Sequence, residues 1–155
     1  MKKIPLELND KIYSLAHIIE KAGKEVIFKK HNLTIQRYKI LKILHNAQNK
    51  NLLTTQIQKS LNVSSGNMTG RIDGLEKLEL VKRIKLDKDR RNYFIKLTKK
   101  GEMKYLNVEH DYTKSIEELY QGIKIEDLKT THKTIDTIYS RLDNFMKTGK
   151  KHNEN

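Results

Sequence analysis

Apolar positions near the start of the chain step by alternating fours and threes: Leu8, Ile12, Leu15, Ile19, Ala22 and Val26. That period puts them in one stripe on a helix, which the spacing predicts over residues 5–30, behind the chain's only proline, Pro5. The last segment behaves alike. Ile125, Leu128, His132, Ile135, Tyr139, Leu142 and Met146 recur at heptad-like spacing, and Ile138 and Phe145 broaden the stripe. Tyr112, Ile116, Leu119 and Ile123 form another stripe just before it. Amphipathic helices are therefore expected over 5–30 and 101–147. Such stripes either close a bundle within one chain or pair with a second copy. Their length and narrowness favour a homodimer, since the middle of the chain must keep its own surface free.

The middle, residues 33–100, breaks into shorter elements. Thr34 stands where a helix N-cap belongs, before IQRYKILKILHN, whose Ile35, Tyr38, Leu41 and Leu44 share an inward face. Thr54 reads as the cap of a short helix, TQIQKSL, and Asn62-Val63-Ser64 as a turn. Ser64 then caps a third helix running to about Leu78, with Met68, Ile72 and Leu75 inward. Beyond it the period falls to two. VKRIKL (81–86) and NYFIKL (92–97) are predicted strands, with Tyr93, Ile95 and Leu97 on one face and Asp87 to Arg91 as a charged hairpin tip. Thr98 restarts a helix as the N-cap of KKGEMKYL. Residues 148–155 are polar and stripeless, and are expected to be a disordered tail. The order helix, short helix, turn, helix, hairpin is that of a winged helix-turn-helix. The fold class is mostly α with a small β-wing (α+β), one domain over 1–155, flanked by N- and C-terminal dimerisation helices.

Charge sharpens this reading. Net charge is +13, but residues 33–100 hold sixteen Lys and Arg against five Asp and Glu, and the rest of the chain sixteen against fourteen. The excess is thus concentrated between two nearly balanced ends. A basic field of that kind suits a polyanion, with double-stranded DNA the expected partner ahead of an anionic membrane. The low mean hydropathy, −0.75, also fits apolar faces buried against a second copy.

On the third helix, the face opposite the apolar one carries Gly66, Thr69, Gly70, Asp73 and Lys77, with Ser65 and Asn67 near its exposed first turn. Side chains at the start of such a helix meet base edges in the major groove. Asn67 suits adenine, Ser65 and Thr69 suit bases or phosphate, and Ser64 frees backbone N–H groups for a phosphate oxygen. Two readings stand for Arg71: a phosphate contact, or a pair with an acidic neighbour. Two also stand for Gly70 and Gly74: close backbone approach to DNA, or simple tolerance of a residue that costs a helix roughly 1 kcal/mol. At the hairpin tip, an arginine fits the narrow, negative minor groove, and a nearby aspartate can hold it extended.

Residues 63–101 resemble the core of the MarR family (multiple-antibiotic-resistance regulator type). Leu75-Glu76, Leu80-Val81, Asp89-Arg90-Arg91 and Leu97-Thr98-Lys99-Lys100-Gly101 match its pattern in order and spacing, and LTIQRYKIL (33–41) is similar to the first helix of its DNA-binding lobe. The resemblance implies a homodimer, with Arg91 the minor-groove arginine and Asp89 its positioning partner. It also implies, for many members, release from DNA by a small, often phenolic ligand. Three departures are noted. Glu79 replaces the glycine that usually ends the recognition helix, which puts that helix end in question. Gly70 and Gly74 stand where many relatives carry basic groove contacts. The absence of Cys removes a thiol switch.

The DNA-contact set is therefore Ser64, Ser65, Asn67, Thr69, Arg71, Lys77, Asp89, Arg90 and Arg91. Tyr13, His17, Tyr38 and Tyr112 are candidates to line an effector cleft. No cofactor is expected. The six histidines include no compact i,i+4 pair with an acidic third ligand, so no metal site is prompted. Phosphate loop, nucleophile elbow and paired catalytic carboxylates are absent, which argues against an enzyme. The N-terminus does not read as a signal peptide and no stretch suits a membrane span, so the expected location is cytoplasmic. The function expected is a dimeric transcription regulator, a repressor of pseudo-palindromic operators. A winged-helix protein-interaction module and a non-specific architectural DNA binder are the alternatives.

Overall fold

The computed structural model describes residues 3–86 and 89–152; of residues 86, 89–92 and 149–152 it describes the backbone alone. The chain forms two compact units, one ending at Ser115 and one beginning at Ile116. The elements are α1 (Lys3–Ala22), a π-helical turn (Gly23–Phe28), α2 (Ile35–Asn46), β1 (Asn51–Leu53), α3 (Thr54–Leu61), α4 (Ser65–Lys77), β2 (Val81–Leu86), β3 (Asp89–Leu97), α5 (Lys99–Tyr120) and α6 (Ile125–His152).

In the first unit, the core gathers Phe28, Tyr38, Ile40, Leu41 and Leu44 with Ile57, Met68, Ile72, Leu75, Ile95 and Val108. Each such side chain contributes roughly 1.5–3 kcal/mol by leaving water. Of the inward faces expected for α2, α4 and β3, Tyr38, Leu41, Leu44, Met68, Ile72, Leu75, Ile95 and Leu97 are buried, Ile35 and Tyr93 are only partly so, and Ile40 adds a second buried row to α2. The sheet order is β1-β3-β2, all antiparallel, with Arg83 opposite Ile95 and Leu52 opposite Ile95 on the other side. Strand β1 was not foreseen. Three residues carry too little alternation to be read, and pairing to β3 is what extends them.

Caps decide where helices begin. The Thr34 hydroxyl accepts from Arg37 N–H at 3.2 Å, and the Thr98 hydroxyl from Gly101 N–H at 2.9 Å, as expected. Thr54 is not the cap of α3. It lies inside the helix, Leu53 N–H donates to the Gln56 side chain at 2.9 Å, and the Thr54 hydroxyl donates to the Tyr93 carbonyl. Ser64 holds the cap position of α4 with extended backbone, yet its side chain makes no cap bond. Asn62 closes α3 in the left-handed region (φ 50°), which short polar side chains tolerate.

Three further corrections have plain causes. The N-terminal helix does not keep one α-helical stripe to residue 30. From Gly23 the bonds reach five residues back, as in Lys29 N–H to Lys24 O, and the wider turn shifts the phase by about one residue. Val26, expected inward, is 65% exposed, whereas Ile27 and Phe28 enter the core. At the end of α4, Glu79 takes the left-handed conformation (φ 60°) usual for glycine. Glu79 N–H bonds Glu76 O at 2.8 Å and Leu80 N–H bonds Leu75 O at 3.0 Å, so the helix end is kept despite the departure. In the second unit, α6 continues through His152, past the 147 expected from its stripe, because no proline stops it. Residues 153–155 lie outside the described residues.

Candidate nucleic-acid interface

Helix α4 presents Ser65, Gly66, Asn67, Thr69, Gly70, Asp73 and Lys77 as exposed, opposite buried Met68, Ile72 and Leu75. Ser64, just before it, is exposed as well, and its hydroxyl is not consumed by a cap. Thr69 donates back to the Ser65 carbonyl at 3.3 Å. The side chains of Asp89, Arg90 and Arg91 lie outside the described residues; their backbone belongs to β3.

The helix and the wing are tied by a residue that sequence reasoning missed. Arg83 of β2 donates through its backbone N–H to Glu76 Oε1 at 3.2 Å, and its guanidinium bonds Glu76 and, at 2.5 Å, Asp73. Only a quarter of the Arg83 side chain is exposed. Charge-assisted, forked contacts of this kind are among the stronger polar ones, roughly 1.5–3 kcal/mol each when shielded. They fix the angle between α4 and the sheet. They also commit Asp73, expected on the free face of α4, to the wing. Spacing alone could not reveal this, because the partners are ten and seven residues away on different elements. A groove of about 630 Å³ lies beside this bridge, bordered by Thr54, Ser65, Thr69, Asp73, Arg83 and Lys85.

Gly70 and Gly74 of α4 differ. A Cβ at Gly70 would meet nothing within 4 Å, whereas one at Gly74 would fall 1.8 Å from the Arg37 guanidinium. Gly74 is therefore a seat for an intramolecular side chain, a role sequence reasoning did not consider. At the junction of α4, β2 and α5, Thr98 donates from its hydroxyl to Glu79 O and from its backbone to Leu80 O, and Lys100 pairs with Glu79 at 2.5 Å. This pair holds the Glu79 carboxyl below its ordinary value.

The four effector candidates divide. Tyr38 and Tyr112 come together with Phe28 and Tyr105, with ring centroids 5.4 to 6.2 Å apart. Tyr38 is 3% exposed, and its hydroxyl donates to Glu109, which also receives Lys42 at 3.1 Å. Burial, then the Glu109 hydrogen bond, raises the Tyr38 phenol above its ordinary value. Burial works to raise Glu109, but the hydrogen bonds from Tyr38 and Lys42 prevail and lower it. Tyr13 (72% exposed) and His17 lie on the open surface of α1, away from this cluster. A groove of about 620 Å³ is lined by Phe28 together with Lys24, Leu33 and Gln36. Nearby, Asp111 accepts from His31 at 2.8 Å and Lys30 at 2.9 Å; the Lys30 and His31 bonds lower its carboxyl to about 2.

The terminal helices expose their stripes. Leu8, Leu15, Ile18 and Ile19 of α1 are 38–60% exposed, and α1 buries none of its residues. On α6, Ile135, Tyr139, Leu142, Phe145 and Met146 are all at least half exposed. His132 faces Asp136 at 3.1 Å on an exposed part of α6. Among the described residues, no helix is long and apolar enough to cross a membrane.

Comparison with known proteins agrees with this architecture. The MarR family model matches residues 33–93. The HTH-type transcriptional repressor YetL of Bacillus subtilis is 26% identical over 140 residues, covering 90% of this chain and 81% of that protein. Among solved structures, Sco3205 of Streptomyces coelicolor, a MarR family transcriptional regulator in complex with DNA, superposes with a TM-score of 0.81 at 15% identity, covering 92% of this chain and 90% of that one. NadR in complex with 4-hydroxyphenylacetate superposes at 0.64 with 22% identity, covering 84% and 91%. Residues 33–93 thus match the MarR family model, and the fold of the chain is that of MarR family transcriptional regulators.

Proposed function

We propose that this chain is a dimeric transcription repressor of pseudo-palindromic operators in double-stranded DNA, released by a small aromatic effector. One observation carries the reading: an exposed polar face on α4, locked to a β-wing by Arg83, inside the segment that holds nearly all the net positive charge. In this proposal Ser64, Ser65, Asn67, Thr69, Arg71 and Lys77 meet one major groove, and Arg91, with Arg90 and Asp89, enters the neighbouring minor groove. The exposed apolar stripe on α1 and the one on α6 each support a homodimer, since a stripe of that length on a lone chain is left facing water. Two-fold symmetry then sets half-sites about one helical turn apart. The repressor name of YetL supports the sign of regulation. The phenolic ligand of NadR, with the Phe28–Tyr38–Tyr112 cluster of this chain, supports an aromatic effector.

Selection of duplexes from a random pool, followed by a salt titration on the best one, tests the proposal. A pseudo-palindrome preferred strongly over scrambled DNA is expected. Replacing Arg91 by Ala should cost about 1–3 kcal/mol of binding, chiefly at AT-rich flanks. Steep salt dependence without sequence preference would make the protein an architectural binder, and a folded dimer that binds no duplex would point to a docking module.

A further inference from the structure

We propose that Arg37, on α2 and outside the helix-turn-helix pair, contacts a DNA phosphate. Seated on Gly74, it forms with Arg71 a clamp on the flank of α4 away from the wing. The inference rests on the DNA-binding reading above and adds a site to it.

Gly74 is the first observation. A Cβ there would lie 1.8, 2.3 and 2.8 Å from Nη2, Cζ and Nε of Arg37, so the guanidinium fills the volume a side chain at 74 would take. Thr34 sets the start of α2 through the Arg37 N–H, which fixes where the Arg37 side chain departs.

Charge is the second. Arg83 takes both acidic side chains of the middle of α4, Asp73 and Glu76. Neither Arg37 nor Arg71 pairs with a carboxylate among the described residues. Both are half-buried. Two guanidinium groups are therefore held close to the helix without a carboxylate partner among the described residues, and a planar fork of that kind matches a phosphate's oxygens.

The third observation is place. Arg37 and Arg71 border a groove of about 430 Å³ with Thr34, Gln36, Asn67 and Gly70, and no carboxylate lines it. The Arg83 bridge and its groove lie on the Thr69–Asp73 side of the same helix. A helix about 10–12 Å across fills a major groove about 12 Å wide, so its two flanks face the two bordering backbone strands. The wing serves one flank. Arg37 and Arg71 serve the other.

The test compares the wild-type protein with Arg37→Ala and Gly74→Ala on a pool-selected duplex and on a scrambled duplex of the same length. Binding is read by fluorescence anisotropy across a salt series, and folding by thermal melting. Arg37→Ala is expected to lower affinity about tenfold on both duplexes and to flatten the salt slope by about 0.9 per protomer, the signature of one lost phosphate contact. Gly74→Ala keeps the charge but evicts it from its seat, and should weaken both duplexes severalfold without loss of melting temperature. A purely structural Arg37 would lower the melting temperature and leave the slope untouched, which overturns the proposal. A loss confined to the selected duplex also overturns it, since that would make Arg37 a base reader. If Arg37→Ala fails to fold, Arg37→Gln and Gly74→Ala carry the same comparison. Wild-type protein that binds neither duplex would sink the DNA-binding reading itself, and this clamp with it; wild-type binding with unchanged variants sinks only the clamp.

Discussion

Gly101 and Gly70 are both helical glycines, and helix propensity alone predicts the same response to alanine at each: a gain of up to about 1 kcal/mol. Their surroundings predict opposite ones. A Cβ on Gly101 would stand 1.9 Å from the Leu80 carbonyl oxygen, 2.8 Å from its carbon and 2.9 Å from Leu97 Cδ1. An ordinary C···O contact is about 3.3 Å, so the backbone must open by more than 1 Å. The Leu80 oxygen cannot retreat freely, because it accepts from Thr98 N–H at 3.1 Å. Overpacking of this kind costs about 1–3 kcal/mol, and a strained or lost hydrogen bond adds about 1. Set against the propensity gain, Gly101→Ala should destabilise by about 1–3 kcal/mol, lowering Tm by roughly 2–12 °C for a chain of this size. Gly70→Ala meets nothing within 4 Å and should raise Tm by roughly 2–4 °C. Calorimetry at one fixed protein concentration, which a dimer requires, reads both. Equal shifts of the same sign in the two variants would refute the reasoning, since they would show that helix propensity and not the Leu80 contact governs the position.

Other expectations follow from the same structure. Arg83→Ala should destabilise by about 1–3 kcal/mol in urea titration, and Arg83→Lys should recover only part of it, because an ammonium cannot fork to Asp73 and Glu76 together; full recovery by lysine would contradict a forked bridge. Glu79→Gly should stabilise by up to about 1 kcal/mol by relieving a left-handed residue, despite losing the exposed Lys100 pair, and a lower Tm would show that the pair outweighs the strain. Asp111 has its folded pKa depressed to about 2, so its stabilising effect is present above the unfolded value near 4 and is lost as pH falls from there toward 2. Asp111→Asn should therefore flatten the acid limb of the stability profile in that window and leave no comparable change in slope at higher pH.

What could be read from residue order alone was local. Met68, Ile72 and Leu75 face inward because three to four residues make one helical turn, and Ile95 and Leu97 because two make one pleat. Thr34 and Thr98 cap their helices by bonds to a backbone three residues on, and Asn62 turns left because its short side chain permits it. The motifs between Leu75 and Gly101 placed the recognition helix and wing for the same reason: each is a short stretch whose chemistry lies within itself. Tertiary structure decided the rest, because those features depend on which distant residues meet. The π-helical turn moved the inward face from Val26 to Ile27 and Phe28 once Phe28 packed against Tyr38. Asp73 on the exposed face of α4 gained a partner when β2 brought Arg83 to it, β1 exists only by pairing with β3, and Thr54 lost its cap role to Gln56. The glycines show the division most clearly. Residue type says only that each lacks a side chain, while packing makes one a seat for Arg37, one a contact with the Leu80 carbonyl and one open space.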